Sequence, residues 1–208
     1  MRPSGSLAAA GRFADPVSSA AVVKLQRRFG QAEDMDGVTL IDDFLDDAQR
    51  WFVDLRDGID WDDGMAARRT ASFGVAYNYS QMRYPYRPMP PSLDELATRV
   101  AAVVGFRPNN CLLNCYADGE SRMGFHADQT DILVPGTGIA IVSLGAVRAL
   151  RFRAIADSQQ RVDYRLNSGS LLYMSAELQR HWQHAVPREP GAGARISLTF
   201  RALREALP

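Results

Sequence analysis

Lysine and cysteine are both scarce in this chain of 208 residues. Lysine and arginine together number 24, and Lys24 is the only lysine, so almost all positive charge is carried by arginine. We interpret this bias as compositional, with little functional weight. Cys111 and Cys115 are the two cysteines. In the strand-like run that contains them, their α-carbons would lie roughly 13 Å apart, too far for a disulfide. We therefore expect core cysteines in a reduced, cytoplasmic protein.

Long apolar runs are also absent. No stretch has the length of a membrane span, and none has the apolar core of a signal peptide followed by a small-residue cleavage site.

The formal net charge is zero, which argues against a protein that coats nucleic acid by charge alone. Acidic residues nevertheless concentrate in residues 33–63, whereas residues 64–208 carry an excess of arginine. This distribution allows a polyanionic substrate, and we expect a monomer with no membrane partner.

The N-terminal part contains an irregular segment and helical patterns. Residues 1–34 lack sustained periodicity and are predicted to be a tail, so that the domain spans residues 35–208. Asp46 can cap a first helix that ends at Gly58. A second helix is predicted to begin with a capping box and to end at a glycine, the residues being Ser92, Glu95 and Gly105. Between the helices, residues 70–80 alternate as one strand, and the proline-rich residues 81–91 are predicted to be a loop.

After Pro108 the pattern changes to short strands separated by Gly, Pro or Asp turns. The predicted strands are residues 111–116, 123–128, 138–144, 149–154, 162–166, 170–174, 181–185 and 195–201. Many short strands at this spacing indicate an all-β sandwich or barrel. With the two helices upstream, the predicted fold class is α+β.

His126 and Asp128 are the first pair of residues with metal-binding chemistry. Residues two apart on a strand project from one face, so both could reach one ion. A distal histidine would complete the two-histidine, one-carboxylate set of non-haem Fe(II) oxygenases. We favour His184 over His181, because it is nearer the last strand and His181 would face the other way. The alternative is a polar strand end with surface histidines, since His-x-Asp is common by chance.

The last predicted strand carries polar residues on one face and apolar residues on the other. Arg195, Ser197, Thr199 and Arg201 share the polar face. Two guanidiniums on a buried face need anionic partners, which suggests a dicarboxylate co-substrate. Asn114 and Tyr116 share the face of an earlier strand and could hold carboxylate oxygens. Ordinary polar strand residues are the alternative for that pair.

Taken together, these motifs resemble the AlkB family. The matching segments occur in the family's order and are Asn114-Cys115-Tyr116, His126-Ala127-Asp128, Ser143-Leu144-Gly145, and residues 169–172, 181–184 and 195–201. The similarity covers about residues 38–204. It implies a dioxygenase that uses Fe(II), 2-oxoglutarate and O2 on a double-stranded β-helix (jelly-roll) core. Such enzymes remove alkyl groups from nucleobases, here of the 1-methyladenine or 3-methylcytosine type, with release of aldehyde, succinate and CO2.

The resemblance also implies a role for each matching residue. The iron ligands would be His126, Asp128 and His184. The distal carboxylate of 2-oxoglutarate would be held by Arg195 and Tyr116. Its C1 end would meet Asn114 and Arg201, and Thr199 would line the same pocket.

Substrate recognition is assigned to a lid and to residues near the metal. Residues 68–91 resemble the family's nucleotide-recognition lid, whose aromatic residues could stack on an extruded base. The candidates are Phe73, Tyr77 and Tyr79, with core packing as the alternative for Phe73 and Tyr77. Thr130 stands where several relatives place an acid that reads the target base, and Asp131 follows it. Arg153 is the candidate for a phosphate contact, and the expected partner is alkylated DNA, RNA or both.

Two other functions remain open. The same cofactors could act on a modified tRNA base, a protein side chain or a small molecule. Alternatively, the chain could be a jelly-roll module that binds without catalysis.

Overall fold

A computed structural model describes residues 35–79 and 82–204, with the backbone alone at Asn78, Tyr79 and Met82. The predicted tail, residues 1–34, lies outside this range. The elements in chain order are β1 Val38–Ile41, α1 Ala48–Gly58, β2 Arg69–Gly74, β3 Tyr77–Tyr79, β4 Met82–Tyr84, α2 Pro91–Val104, β5 Asn110–Tyr116, β6 Met123–His126, β7 Gly138–Gly145, β8 Arg148–Ala154, β9 Arg161–Leu166, β10 Leu171–Ser175, a 3₁₀ turn Glu177–Arg180, β11 Trp182–Val186 and β12 Arg195–Arg201.

The two predicted helices form and Gly105 ends the second as predicted, but the predicted N-terminal caps do not form. Asp47 rather than Asp46 is the N-cap of α1, and no side chain caps that end. In α2 a proline occupies the first turn, where its fixed φ favours helix, so the helix begins at Pro91 and Ser92 is already inside it. The predicted capping box is therefore wrong. Neither helix, nor any other in the described residues, is long and apolar enough to cross a membrane.

Two antiparallel sheets form the core. The larger has six strands in the order β1-β10-β7-β12-β5-β2, and the smaller has four in the order β6-β11-β8-β9. Residues from both sheets share one buried cluster, so the sheets face each other. The predicted α+β class with a jelly-roll core is confirmed.

The larger sheet is buried on both faces, and the period of its strands decides what each face carries. On β12, Ile196, Leu198 and Phe200 pack in the cluster that includes residues of α1 and α2. The alternate residues point towards the smaller sheet. Cys111 and Cys115 of β5 lie in the helix-side cluster as free, buried thiols. Their predicted role as core residues is confirmed.

The single strand predicted over residues 70–80 is wrong, because β2 ends at Gly74 and a separate strand, β3, begins at Tyr77. That glycine has φ +86°, a conformation that residues with a β-carbon rarely adopt. It exchanges backbone hydrogen bonds with Arg87. Beyond the break, β3 pairs with β4, so part of the predicted loop is a strand. Phe73 and Tyr77 consequently lie in different clusters.

Candidate metal and co-substrate site

His126 and His184 are brought together by strand pairing in the smaller sheet. β6 and β11 run antiparallel with His184 directly opposite His126, and residues paired in this way project from the same face. Their ring centroids are 4.3 Å apart. Burial lowers the pKa of His184 to about 3. Its imidazole is therefore neutral, which is the form that binds metal.

Asp128 joins the histidines from the segment that follows β6. Its backbone N–H donates to Oε1 of Gln179 at 2.9 Å, and its Oδ1 lies 3.8 Å from Nε2 of His126. Ligand atoms of the three side chains lie within 4.8 Å of one another. Burial alone would raise the pKa of Asp128, but the charge of Arg201 helps to lower it overall. The carboxylate is thus ionised.

The hydrogen bonding of these side chains fits a metal ion. Oδ1 of Asp128 and Nδ1 of His184 are buried and have no hydrogen-bond partner among the described residues. Nδ1 of His126 lies 2.9 Å from the carbonyl oxygen of Gly124, so the ring donates there and presents Nε2 to an ion. Two histidines and one carboxylate are the donor set of non-haem iron. His181, 3.3 Å from Glu177, is exposed and outside the triad.

Arg201 connects this triad to β12. Its Nη2 donates to Oδ2 of Asp128 at 3.0 Å, and both side chains are buried. The second carboxylate oxygen therefore stays available for an ion. This pairing also compensates for burying the guanidinium.

A second buried arginine marks the other end of the site. Arg195 lies opposite Tyr116 in the β12–β5 register, with its guanidinium carbon 5.3 Å from the ring centroid. Its Nη2 donates to the hydroxyl of Ser143 at 2.9 Å. Its Nε and Nη1 are buried without a hydrogen-bond partner among the described residues. A buried guanidinium that still has unpaired donors can bind a carboxylate.

One cavity contains both ends. All eight predicted metal and co-substrate residues line it, namely Asn114, Tyr116, His126, Asp128, His184, Arg195, Thr199 and Arg201. The remaining lining is Leu112, Met123, Ile141, Leu150, Val186 and Ser197. A buried pocket with a metal triad at one end and an arginine that can bind a carboxylate at the other is the arrangement that iron and 2-oxoglutarate require.

Comparison with known proteins agrees with this geometry. The model of the 2OG-Fe(II) oxygenase superfamily matches residues 38–201. The chain belongs to this superfamily. The predicted resemblance to AlkB proteins is confirmed, and Fe(II), 2-oxoglutarate and O2 are the cofactors that the family implies.

Individual relatives are AlkB homologues. DNA oxidative demethylase ALKBH2 of Mus musculus is 35% identical over 147 residues, covering 65% of this chain and 62% of the relative. The Homo sapiens ALKBH2 is also 35% identical, with 65% and 56% covered. Alpha-ketoglutarate-dependent dioxygenase alkB homolog 3 of Rattus norvegicus is 33% identical, with 65% and 50% covered. The match thus spans about half to three fifths of these relatives.

A solved structure shows the same fold. The structure of OsALKBH1 superposes with a TM-score of 0.60 at 19% identity, covering 79% of this chain and 97% of that chain. At this identity the likeness concerns the fold alone.

Two of the three predicted lid aromatics of this oxygenase, Phe73 and Tyr77, are buried rather than exposed. Phe73 is packed in the helix-side core beneath Arg87, whose guanidinium carbon is 4.6 Å from the ring centroid. Tyr77 is buried over Arg201, at 5.0 Å from its ring centroid to the guanidinium carbon. The side chain of Tyr79 lies outside the described part of the chain.

The other predicted substrate residues lie around the triad without lining the cavity. Thr130 is half-buried and Asp131 is exposed, both in the segment that follows Asp128. Arg153 pairs with Gln183 across β8 and β11 and donates to its Oε1 at 2.6 Å. Since His184 faces the cavity, its neighbour Gln183 and Arg153 face outwards. The substrate roles of these residues stay predictions.

Three supporting residues were not found from the sequence. Ser143 holds Arg195, Gln179 holds the backbone of Asp128, and Nε of Arg68 donates to Oδ1 of Asn114 at 2.7 Å. Ser143 belongs to a motif already noted, and the period of β7 could have placed it on the cavity face. No sequence signal connects Gln179 or Arg68 to the site, because both contacts depend on tertiary structure.

Proposed function

We propose that this oxygenase oxidatively removes alkyl groups from N-alkylated bases of the 1-methyladenine and 3-methylcytosine type in nucleic acid. One observation carries the proposal. A single cavity holds a two-histidine, one-carboxylate triad at one end and the open donors of a buried arginine at the other. Relatives named DNA oxidative demethylase favour DNA as the substrate, and RNA is the alternative that an assay must separate.

His126, Asp128 and His184 would hold the iron. Three protein ligands leave the other coordination positions open to small molecules. When bound, Fe(II) with 2-oxoglutarate and O2 supplies the oxidation of the N-alkyl carbon, which yields succinate, CO2, an aldehyde and the unmodified base. The protein keeps its ligands ready by holding His184 neutral and Asp128 ionised.

Arg195 and Tyr116 would orient the co-substrate through its distal carboxylate. Ser143 accepts a hydrogen bond from Nη2 of Arg195, so the guanidinium is already oriented before the co-substrate binds. A preformed fork loses less entropy when it binds. Arg201, in contact with Asp128, is placed to meet the C1 end near the triad. The apolar cavity wall limits water around the reacting atoms.

Base recognition is assigned to the lid and to the turn after the triad. Residues 68–91 contain the β3–β4 hairpin, whose first residue packs against Arg201. Thr130 and Asp131 lie two and three residues after Asp128, which supports a role in contacting the target base. Arg153, on the outer face of the small sheet, is a candidate for a phosphate contact.

Anaerobic reconstitution with Fe(II) and 2-oxoglutarate, followed by air and mass spectrometry, tests the proposal. The panel holds 1-methyladenine and 3-methylcytosine in single- and double-stranded DNA and RNA. We expect loss of the methyl group with an equal amount of succinate. His126→Ala should abolish both products. His181→Ala, which changes a histidine outside the triad, should leave both unchanged.

The two possible negative results contradict different parts of the proposal, the substrate and the catalytic activity. Succinate formation without demethylation of any oligonucleotide would show that the substrate is wrong and favour a modified tRNA base, a protein or a small molecule. Absence of both metal binding and succinate formation would favour a binding module without catalysis.

A further inference from the structure

Tyr77 connects the lid to the floor of the active site. It begins β3 and pairs with Tyr84 across the β3–β4 hairpin, yet only 3% of it is exposed. It packs in the cluster between the sheets, which includes Tyr116 and Leu112. The lid is therefore anchored in the same core that carries the co-substrate residues.

The group beneath the Tyr77 ring is the guanidinium of Arg201. The ring centroid lies 5.0 Å from its central carbon, within the range of a cation–π contact. The same guanidinium donates to Oδ2 of Asp128 at 3.0 Å. Arg201 thus contacts both the lid residue Tyr77 and the proposed metal ligand Asp128.

This arrangement conflicts with a role for Tyr77 as a base platform. A stacking platform must offer one face of its ring to the base, but this ring is covered. A cation–π contact is strongest where both groups are removed from water, and Arg201 is also buried. Releasing Tyr77 to receive a base would uncover Arg201 at the point where it orients Asp128.

We propose that Tyr77 is a positioning residue that fastens the lid onto Arg201, so that lid closure and 2-oxoglutarate binding favour each other. The inference rests on the proposed function in taking Arg201 as a contact of the co-substrate. Coupling of this kind is reciprocal. Bound 2-oxoglutarate holds the lid closed, and a lid that has lost its anchor weakens 2-oxoglutarate binding.

The first test measures the lid in the wild-type protein. Arg83 is exposed within the hairpin, so trypsin cleavage after it reports lid opening. Cleavage is compared with Mn(II) alone and with Mn(II) plus 2-oxoglutarate, and fragments are identified by mass spectrometry. We expect cleavage after Arg83 to slow several-fold with 2-oxoglutarate. Equal rates in the two conditions would overturn the proposal.

The second test measures 2-oxoglutarate affinity by calorimetry in the presence of Mn(II). Tyr77→Leu removes the aromatic face and should raise the Kd for 2-oxoglutarate about ten-fold. Tyr77→Phe keeps the ring and should behave as wild type. Tyr86→Leu makes the same change in the same segment at a side chain that is 68% exposed, and should have no effect.

The outcomes separate the two roles of Tyr77. A Tyr77→Leu protein with normal 2-oxoglutarate affinity and normal lid protection, but weaker binding to methylated DNA, would show a base platform and overturn the proposal. If Tyr77→Leu does not fold, Tyr77→Met fills the volume without an aromatic face and is interpreted in the same way. None of these measurements uses nucleic acid to detect coupling, so failure of the demethylation assay leaves their result intact.

Discussion

At the scale of single residues, Asp128 uses its two carboxylate oxygens differently. Oδ2 accepts a hydrogen bond from Arg201, whereas Oδ1 is buried, has no hydrogen-bond partner in the described part of the chain and lies 3.8 Å from Nε2 of His126. Arg201 therefore orients the carboxylate so that one oxygen faces the histidines. Orientation of this kind usually matters nearly as much as the ligand itself, because it sets the geometry before the ion arrives.

Gln179 provides the second support of Asp128, through the backbone. Gln179→Leu removes the acceptor of the Asp128 N–H and should raise the Kd for Mn(II) by about 10–100-fold, the usual cost of losing an outer partner. Calorimetry measures this change. Gln183→Leu is the matched control, since Gln183 is a neighbour of His184 but bonds outwards to Arg153. Equal metal affinity in the two variants would contradict the role assigned to Gln179.

At the scale of elements, β12 organises the site because both of its neighbours contribute to it. It lies between β5 and β7 in the large sheet, with Ser197 opposite Asn114 on one side and Ser143 on the other. Its cavity face supplies Arg195 and Arg201, and its other face packs in the helix-side core. A register slip of one residue would exchange the two faces, so the hydrophobic packing of β12 also positions the arginines.

Arg148 joins the loop after β5 to the end of β11. Fully buried, it donates to the carbonyl oxygens of Asp118 and Ser121, each at 2.9 Å, and of Pro187 at 2.6 Å. Arg148→Met leaves these acceptors unpaired and should lower the free energy of unfolding by about 3–5 kcal/mol. Urea denaturation measures this change.

Arg165→Met is the control for Arg148→Met. Both arginines lie close to Glu189, but the side chain of Arg165 is 55% exposed. Exposed pairs contribute roughly 0–1 kcal/mol, so this variant should lose little stability. Similar losses in the two variants would show that burial of Arg148 is unimportant.

Gly74 is the point where the lid leaves the large sheet. A β-carbon there would collide with the carbonyl of Asn109, and the residue has φ +86°. Gly74→Ala should lower the free energy of unfolding by about 2 kcal/mol or more, as measured by urea denaturation. Gly58→Ala is the control, since nothing lies within 4 Å of its added carbon. A Gly74→Ala protein as stable as wild type would mean that the backbone there adapts.

At the scale of the whole molecule, the site lowers the stability of the fold when no ligand is bound, and bound ligands should increase it. The cavity between the sheets contains buried donors and acceptors on Asp128, His184 and Arg195 that have no partner among residues 35–79 and 82–204. Such groups destabilise a protein until they are paired. Ligands that bind only the folded state shift the unfolding equilibrium by mass action.

Metal and co-substrate should therefore stabilise the fold together. At about 100 times its Kd, each ligand adds about 2.7 kcal/mol, so Mn(II) and 2-oxoglutarate should each raise the Tm by roughly 5–10 °C. Differential scanning fluorimetry measures the shift. Arg195→Lys, which lacks the fork, should keep the shift with Mn(II) alone and lose most of the increment from 2-oxoglutarate. If 2-oxoglutarate raises the Tm of that variant as much as it raises the Tm of the wild type, the contact assigned between Arg195 and the distal carboxylate is contradicted.

Local pattern was sufficient to predict most strands, and together with the family resemblance it named eight candidate metal and co-substrate residues that line one cavity. The period of two on residues 195–201 separates the cavity arginines from the core residues, and His184, which we favoured over His181, lies together with His126 and Asp128. These features depend on residue chemistry and on which face a side chain takes. Both are properties of a short segment, so the sequence by itself determined them.

The tertiary structure decided the features that depend on contacts between distant segments. Gln179 meets Asp128 across 51 positions of the chain. Tyr77 is buried where the hairpin packs on Arg201, and Gly74, at the end of β2, lies against the backbone of Asn109. Alternation of residues 70–80 carries no information about these neighbours. The positions of such side chains follow from the packing of elements against each other, which no single segment encodes.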